Sequence, residues 1–173
     1  TVYWIVPHLS NQTFIITIIG ADWLNTQREV IEDIYDSVSA QDDIWSPNIS
    51  EGEYVRVTFE KELSLENDIT IFPKFISGEP VVEVYIANTE TKIAEFLTIG
   101  EFEYNKVLLS GLQYNTSSFD LKVTGGTISF DYITDPAATY SINTDASTTS
   151  TSTSAGSYTA GRNIVRLNTN RLI

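Results

Sequence analysis

The sequence predicts an all-β protein, an antiparallel β-sandwich of the jelly-roll type with extra strands at its two ends. Apolar and polar residues alternate along several runs, as at Val55, Val57 and Phe59, and a period of two is typical of strands with one buried face. Turn residues separate these runs about every ten residues, which is the spacing of sandwiches and jelly rolls. The composition fits one folded domain, since 42% of the 173 residues are hydrophobic.

Charge and composition argue against most classes of function. The chain has 10 Lys plus Arg against 23 Asp plus Glu, and a net charge of -13 argues against a nucleic-acid partner. It has no Cys, and therefore no disulfide, thiol nucleophile or thiolate metal site. Its single His, His8, argues against a Ser-His-Asp triad or a multi-His metal site. We therefore expect a protein that is not an enzyme.

The first 21 residues carry no charge and predict an N-terminal strand segment. The β-branched run Thr13–Ile19 has the alternation of a strand, and no transmembrane segment is expected because Pro7, His8 and Asn11 interrupt the apolar residues. The chain begins with Thr1 rather than Met, as a secreted protein does after removal of its signal peptide, although a trimmed chain would begin in the same way. We expect an extracellular or cell-surface location.

Residues 22–37 allow two interpretations. Leu24, Arg28, Ile31 and Tyr35 could share one face of a short helix, whereas the β-branched residues around Ile31 equally suit an edge strand.

Further along the chain, alternation predicts strands at residues 55–59, 69–71, 81–86, 92–98 and 103–109. A hairpin is predicted where Leu121–Thr124 and Thr127–Phe130 flank Gly125 and Gly126, because two glycines tolerate the positive φ angles of a two-residue turn. The predicted core consists of Val55, Val57, Phe59, Ile69, Ile71, Val84, Phe119, Leu121, Ile128 and Phe130.

The chain divides into four parts by composition and charge. An N-terminal strand segment, 1–21, precedes a sandwich body, 22–136, then a Ser/Thr-rich tether, 137–161, and a β-compatible segment, 162–173. Residues 22–135 carry 22 acidic and 7 basic residues, whereas 136–173 carry one acidic and three basic residues. The tether has the composition of a flexible or O-glycosylated linker.

The stretch Tyr35–Pro136 resembles a known type of module. Its segments YDSVSAQDDIWSP, GEYVRVTFEKELSLENDITIFPK, VVEVYI and SSFDLKVTGGTISFDYITDP resemble a β-sandwich module of secreted and surface proteins of archaea and uncultured bacteria. The layout is similar to the galactose-binding-like jelly rolls, to which many carbohydrate-binding modules belong. The resemblance implies an extracellular jelly roll and no defined activity, and both ends of the chain lie outside it.

A group of aspartates predicts a metal site. Carboxylate oxygens are the ligands that Ca²⁺ prefers, and solvated loop carboxylates are the alternative, since no EF-hand pattern is present. The candidate ligands are Asp33, Asp36, Asp42, Asp43, Asp131 and Asp135.

Aromatic residues and sequons give two further kinds of candidate site. Exposed rings can stack on sugars, with core packing as the alternative for each. The sugar-binding candidates are Trp45, Tyr104 and Tyr114, with Trp4, Trp23 and Tyr54 as further aromatics. Three N-x-S/T sequons predict glycosylation at Asn11, Asn48 and Asn115.

The two ends suggest self-assembly. An uncharged β-prone N-terminus and a basic β-compatible C-terminal segment, joined to the body by a tether, could each complete the sheet of a neighbouring copy by strand donation. The alternative is that both ends fold back onto their own sandwich. The sequence therefore predicts a structural subunit of a surface filament, tube or layer, whose partners are other copies of itself. A carbohydrate-binding or adhesion module, with glycans as partners, is the competing class.

Overall fold

The computed structural model describes residues 15–136, and over that range the protein is antiparallel β-structure with one single-turn helix. The all-β prediction is confirmed and the architecture is consistent with a sandwich. The elements are β1 (Ile15–Ile16), β2 (Ile18–Leu24), β3 (Val30–Asp33), α1 (Tyr35–Val38), β4 (Tyr54–Leu63), β5 (Asp68–Ile86), β6 (Lys92–Phe96), β7 (Asn105–Leu108) and β8 (Thr116–Pro136). The predicted tether, the C-terminal segment and most of the N-terminal segment lie outside the described residues.

Two long strands, β5 and β8, form the centre of the sheet and pair antiparallel along most of their length. The predicted hairpin is therefore wrong, because both of its strands belong to β8 and pair with β5 rather than with each other. Gly78 lies opposite Gly126, and a Cβ on Gly126 would lie 2.4 Å from the Ser77 carbonyl oxygen. Gly78 and Gly125 both have φ of 72°. The glycines thus serve a close approach and a register shift between two continuous strands.

This glycine junction divides the sheet into two parts, which we call the wide and narrow half-sheets. The wide half-sheet contains β3, β2, β4, residues 116–124 of β8, residues 81–86 of β5, and β6. The narrow half-sheet contains β1, residues 126–136 of β8, residues 68–78 of β5, and β7. Both contribute to a single hydrophobic cluster, as Val57 and Leu121 of the wide part and Ile71 and Ile133 of the narrow part show. The jelly-roll order of strands stays a prediction.

All ten residues of the predicted core are buried. The ambiguous region, 22–37, contains both an edge strand and a helical turn. Arg28 adopts a left-handed φ of 62° in the β2–β3 connection, which the Asn25 amide closes by donating to the Glu29 carbonyl at 2.9 Å. A continuous helix over this region is therefore excluded, and β3 lies at one edge of the sheet.

The described residues contain no helix that is both long and apolar enough to cross a membrane.

Candidate functional site

Four aromatic side chains lie together beside the narrow half-sheet, and we call them the aromatic platform: Trp45, Phe72, Phe102 and Tyr104. The ring centroids of Trp45 and Phe102 are 5.8 Å apart at an edge-to-face angle, and those of Trp45 and Phe72 are 6.2 Å apart. Tyr104 continues the group, since its ring lies 5.2 Å from that of Phe72. Tilted and edge-to-face pairs at these distances are favourable contacts between aromatic rings.

Hydrogen bonds to the central strands hold the segments that carry the platform. The Ser46 amide, next to Trp45, donates to the Phe130 carbonyl at 2.8 Å, and the Phe130 amide donates to Ser46 Oγ at 2.9 Å. On the other side, the Phe102 amide donates to the Pro73 carbonyl at 2.8 Å. The loops of the platform are therefore fixed to β5 and β8.

The platform exposes aromatic surface with polar groups at its margin. The exposed fractions of Phe102 and Tyr104 are 58% and 55%, whereas Trp45 is partly buried. Lys74 places its ammonium 4.3 Å from the centroid of the Trp45 ring, and the Tyr104 hydroxyl donates to Gln41. Clustered exposed rings with polar neighbours are a feature of ligand-binding surfaces.

The structure brings together two of the three predicted sugar-binding residues. Trp45 and Tyr104 both contact Phe72, whereas Tyr114, 59% exposed, makes no ring contact with the platform among the described residues. Tyr54 is buried, as the core-packing alternative predicts, and the Trp23 indole donates to the Glu53 carboxylate at 3.1 Å. Trp4 lies outside the described residues.

Sequence reasoning missed Phe72 and Phe102. Phe102 stands beside acidic residues in a predicted turn, so its apolar side chain there was an available signal of an exposed ring. Phe72 alternates with core residues along β5 and carries no local mark of its role.

Three of the six predicted metal ligands lie near one another. The Asp42 amide donates to Asp131 Oδ1 at 3.3 Å, and Asp43 is close enough to act electrostatically on the same carboxyl. Asp131 is fully buried, and its Oδ2 has no hydrogen-bond partner in the described part of the chain. Burial raises the pKa of Asp131, the backbone amides of Asp42 and Asp43 lower it in part, and the negative charges of Asp43 and Asp42 raise it.

The other three candidate ligands lie apart from this group. Asp33 is exposed and accepts the Tyr35 amide at 2.9 Å, while Asp36 is exposed in α1. Asp135 is buried and accepts from Asn67 Nδ2 at 2.8 Å, and burial raises its pKa to about 6. Within residues 15–136, no three acidic or histidine side chains already converge as a metal site requires.

The wide half-sheet contains a different charged group that the sequence did not reveal. Asp120 is fully buried and accepts two hydrogen bonds from Arg56, at 2.7 and 2.9 Å, and one from the Asn88 amide at 3.0 Å. Arg28 Nε lies 3.1 Å from the same carboxylate, with its guanidinium 4.7 Å from the centre of the Tyr54 ring. These contacts connect two strands, β4 and β8, with two loops, so we assign this group to the stability of the fold.

Two sequons lie on the surface, since Asn48 and Asn115 are both exposed, and Asn11 lies outside the described residues.

The sequence matches no protein-family model and no curated protein.

Proposed function

We propose that the body of the protein is a non-enzymatic, extracellular carbohydrate-binding module whose contact surface is the aromatic platform. The exposed rings of Phe102 and Tyr104 beside Trp45 are the observation that supports this proposal. Rings stack on the apolar faces of sugars, and the neighbouring Lys74 and Gln41 supply groups that can bind hydroxyls.

The fixed position of the rings favours binding over simple surface exposure. Both loops are hydrogen-bonded to the central strands, so little conformational entropy would be lost when a ligand docks. The resemblance of residues 35–136 to modules of secreted and surface proteins agrees with the proposed extracellular location, and it implies no activity of its own.

The test is a glycan-binding screen with the full chain, followed by calorimetry on any glycan that binds. We expect Tyr104→Ala to weaken binding about fivefold, since stacking of one ring contributes about 1 kcal/mol. Tyr114→Ala is the matched control, because Tyr114 is equally exposed but lies away from the platform. Equal affinity of both variants, or no glycan bound by the full chain, would contradict the proposal.

The second candidate is a structural subunit of a surface filament, tube or layer, and a specific feature of the sheet supports it. All four residues of the edge strand β3 are exposed, including Val30 at 62% and Ile31 at 46%. No described strand pairs with the outer side of β3. An unpaired edge with apolar residues is a template for an added strand.

Charge favours residues 162–173 as the donor. That segment carries three Arg and no acidic residue, whereas β3 includes Glu32 and Asp33. Opposite charges would guide a donated strand to this edge, with an attraction that salt weakens.

Light scattering of the full chain over a range of concentrations tests this second proposal. Ile31→Lys should reduce assembly by placing a charge on the edge, and Ile76→Lys, at a similarly exposed site in β5, should not. Deletion of residues 162–173 should leave a folded but monomeric protein. A full chain that stays monomeric at high concentration would rule out assembly by strand donation.

A further inference from the structure

Three aspartates are fully buried in the described part of the chain, and they differ in their neighbours. Asp120 is neutralised by Arg28 and Arg56. Asp131 forms no ion pair with a described basic residue, and its Oδ2 has no hydrogen-bond partner among the described residues. A buried carboxylate without a compensating positive charge is unfavourable unless a proton or a cation neutralises it.

The surroundings of Asp131 make its charge less favourable still. The loop that reaches it carries two more carboxylates, whose negative charges act on Asp131. The backbone amides of Asp42 and Asp43 offset this only in part, and the Asp42 amide donates to Asp131 Oδ1 at a long distance of 3.3 Å. Asp43 has a left-handed φ of 64°, which turns the chain sharply beside this site. Three carboxylates with no described basic partner form an environment that would attract a positive ion.

We propose that a divalent cation of the Ca²⁺ type binds between Asp131 and the loop that carries Asp42 and Asp43. The buried carboxylate of Asp131, with one oxygen unpartnered, would supply the fixed ligand. The exposed carboxylates of Asp42 and Asp43, which do not converge on it in the structure, would supply the others. Ca²⁺ accepts irregular sets of six to eight oxygens that include carbonyls and water, whereas Mg²⁺ requires near-octahedral geometry. A buried anchor with a loop that must close over the ion therefore favours Ca²⁺.

The loop also links the ion to the aromatic platform, since Trp45 follows Asp43 by two residues. Ion binding would hold the loop against β8 and so fix the position of the Trp45 ring. The site itself does not depend on sugar binding, and it can be tested without any glycan.

The test uses the metal-free full chain with Ca²⁺ and with Tb³⁺, a luminescent substitute for Ca²⁺. We expect one saturable site, Tb³⁺ emission excited through the nearby Trp45, displacement of Tb³⁺ by Ca²⁺, and a rise in melting temperature with Ca²⁺. Mg²⁺ should compete at least tenfold less well. If calorimetry detects no heat of Ca²⁺ binding and Trp45 sensitises no Tb³⁺ emission, the proposal is wrong.

Variants separate this site from other acidic groups. Asp131→Asn should abolish binding, and the double variant Asp42→Asn with Asp43→Asn should weaken it at least tenfold without affecting the core. Asp36→Asn is the control, because Asp36 is exposed in α1, and it should bind normally. Unchanged affinity in the Asp131 and loop variants would place the ion elsewhere. If no ion binds and Asp131→Asn stabilises the protein at neutral pH, a proton neutralises Asp131 and the proposal is wrong.

Discussion

The wide and narrow half-sheets differ in whether their buried carboxylates have basic partners. In the wide half-sheet, Asp120 is buried with Arg28 and Arg56, so its charge is compensated within the fold, while Arg28 Nε makes the ion pair without a hydrogen bond. In the narrow half-sheet, Asp131 and Asp135 are buried and each retains a carboxylate oxygen without a partner among the described residues. A self-sufficient network stabilises a fold, whereas an uncompensated one indicates an external ligand, a proton or stored strain.

The aromatic platform, like the two unpaired aspartates, belongs to the region of the narrow half-sheet. Phe72 lies on β5 within the narrow half-sheet, and the other rings are carried by loops that flank it. Exposed rings and unsatisfied carboxylates are both unfavourable for stability alone. Their occurrence together is the reason why we place the proposed ligand-binding surface beside the narrow half-sheet.

The largest expected effect is that of Asp120→Ala. It would leave two guanidinium groups in a mostly buried site without their partner, and such losses cost about 3 kcal/mol of unfolding free energy. Asp131→Asn, measured in a chelator at pH 7, should by contrast be neutral or stabilising, because it removes an uncompensated charge. Urea denaturation of both variants makes the comparison. Equal destabilisation by the two substitutions would show that the half-sheets do not differ in this respect.

The next effect concerns the junction between the half-sheets. Gly78→Ala should destabilise the protein by about 2 kcal/mol, since φ there is left-handed and the new Cβ would lie 2.5 Å from the Gly125 carbonyl oxygen. Gly20→Ala is the control, because its Cβ would meet nothing within 4 Å, and we expect a change within about 0.5 kcal/mol. Thermal or urea unfolding measures both. If alanine at position 78 leaves the stability unchanged, the close approach of β5 and β8 at the junction does not depend on glycine.

The junction also shows where sequence reasoning succeeds and fails. Alternation identified the core residues because periodicity is a local property of each strand. The segments on either side of Gly125 and Gly126 look the same in a hairpin and in one long strand. Only the distant partner β5, which places Gly78 opposite Gly126, distinguishes the two arrangements. Long-range pairing is therefore what the sequence pattern could not supply.

The candidate site was predictable to a similar degree. Trp45 and Tyr104 were identified by residue type, and their contact through Phe72 depends on three separate segments of chain. The sequence predicts six aspartates as candidate ligands, and it cannot show that Asp131 and Asp135 are buried whereas the other four are exposed. The Asp120 network went unrecognised because Arg28 reaches it from a loop distant in sequence.

A third effect concerns the pH dependence contributed by Asp135. Its pKa of about 6 in the folded protein exceeds the value of about 3.9 expected when unfolded, so the folded state binds this proton more tightly. Its contribution to stability is therefore fully present below about pH 4, falls as pH rises through 6, and is constant above that. We expect a loss of about 1 kcal/mol between pH 5 and 7.5.

Asp135→Asn isolates this contribution. The amide retains an oxygen that can accept from Asn67, and it cannot ionise. The variant should therefore be more stable than the parent at pH 7.5, and its stability should fall less between pH 5 and pH 7.5. Asp131 shifts in the same direction, so a smaller decrease should remain. Urea denaturation at the two pH values measures the change, and an identical pH profile for variant and parent would show that Asp135 does not titrate in this range.

The smallest expected change in stability is that of Lys74→Ala, which tests whether the platform serves the fold or a ligand. Lys74 covers one face of Trp45, and an exposed cation–π contact contributes about 0.5–1 kcal/mol. We expect a stability loss within that range, a red shift of tryptophan emission as water reaches the ring, and at least a threefold change in affinity for any bound glycan. Lys122→Ala is the matched control in the wide half-sheet, where Lys122 lies 5.9 Å from the Tyr54 ring centre, and it should leave emission and affinity unchanged. A large loss of stability with unchanged emission and affinity would assign the platform to the fold, and the two half-sheets would then share one structural role.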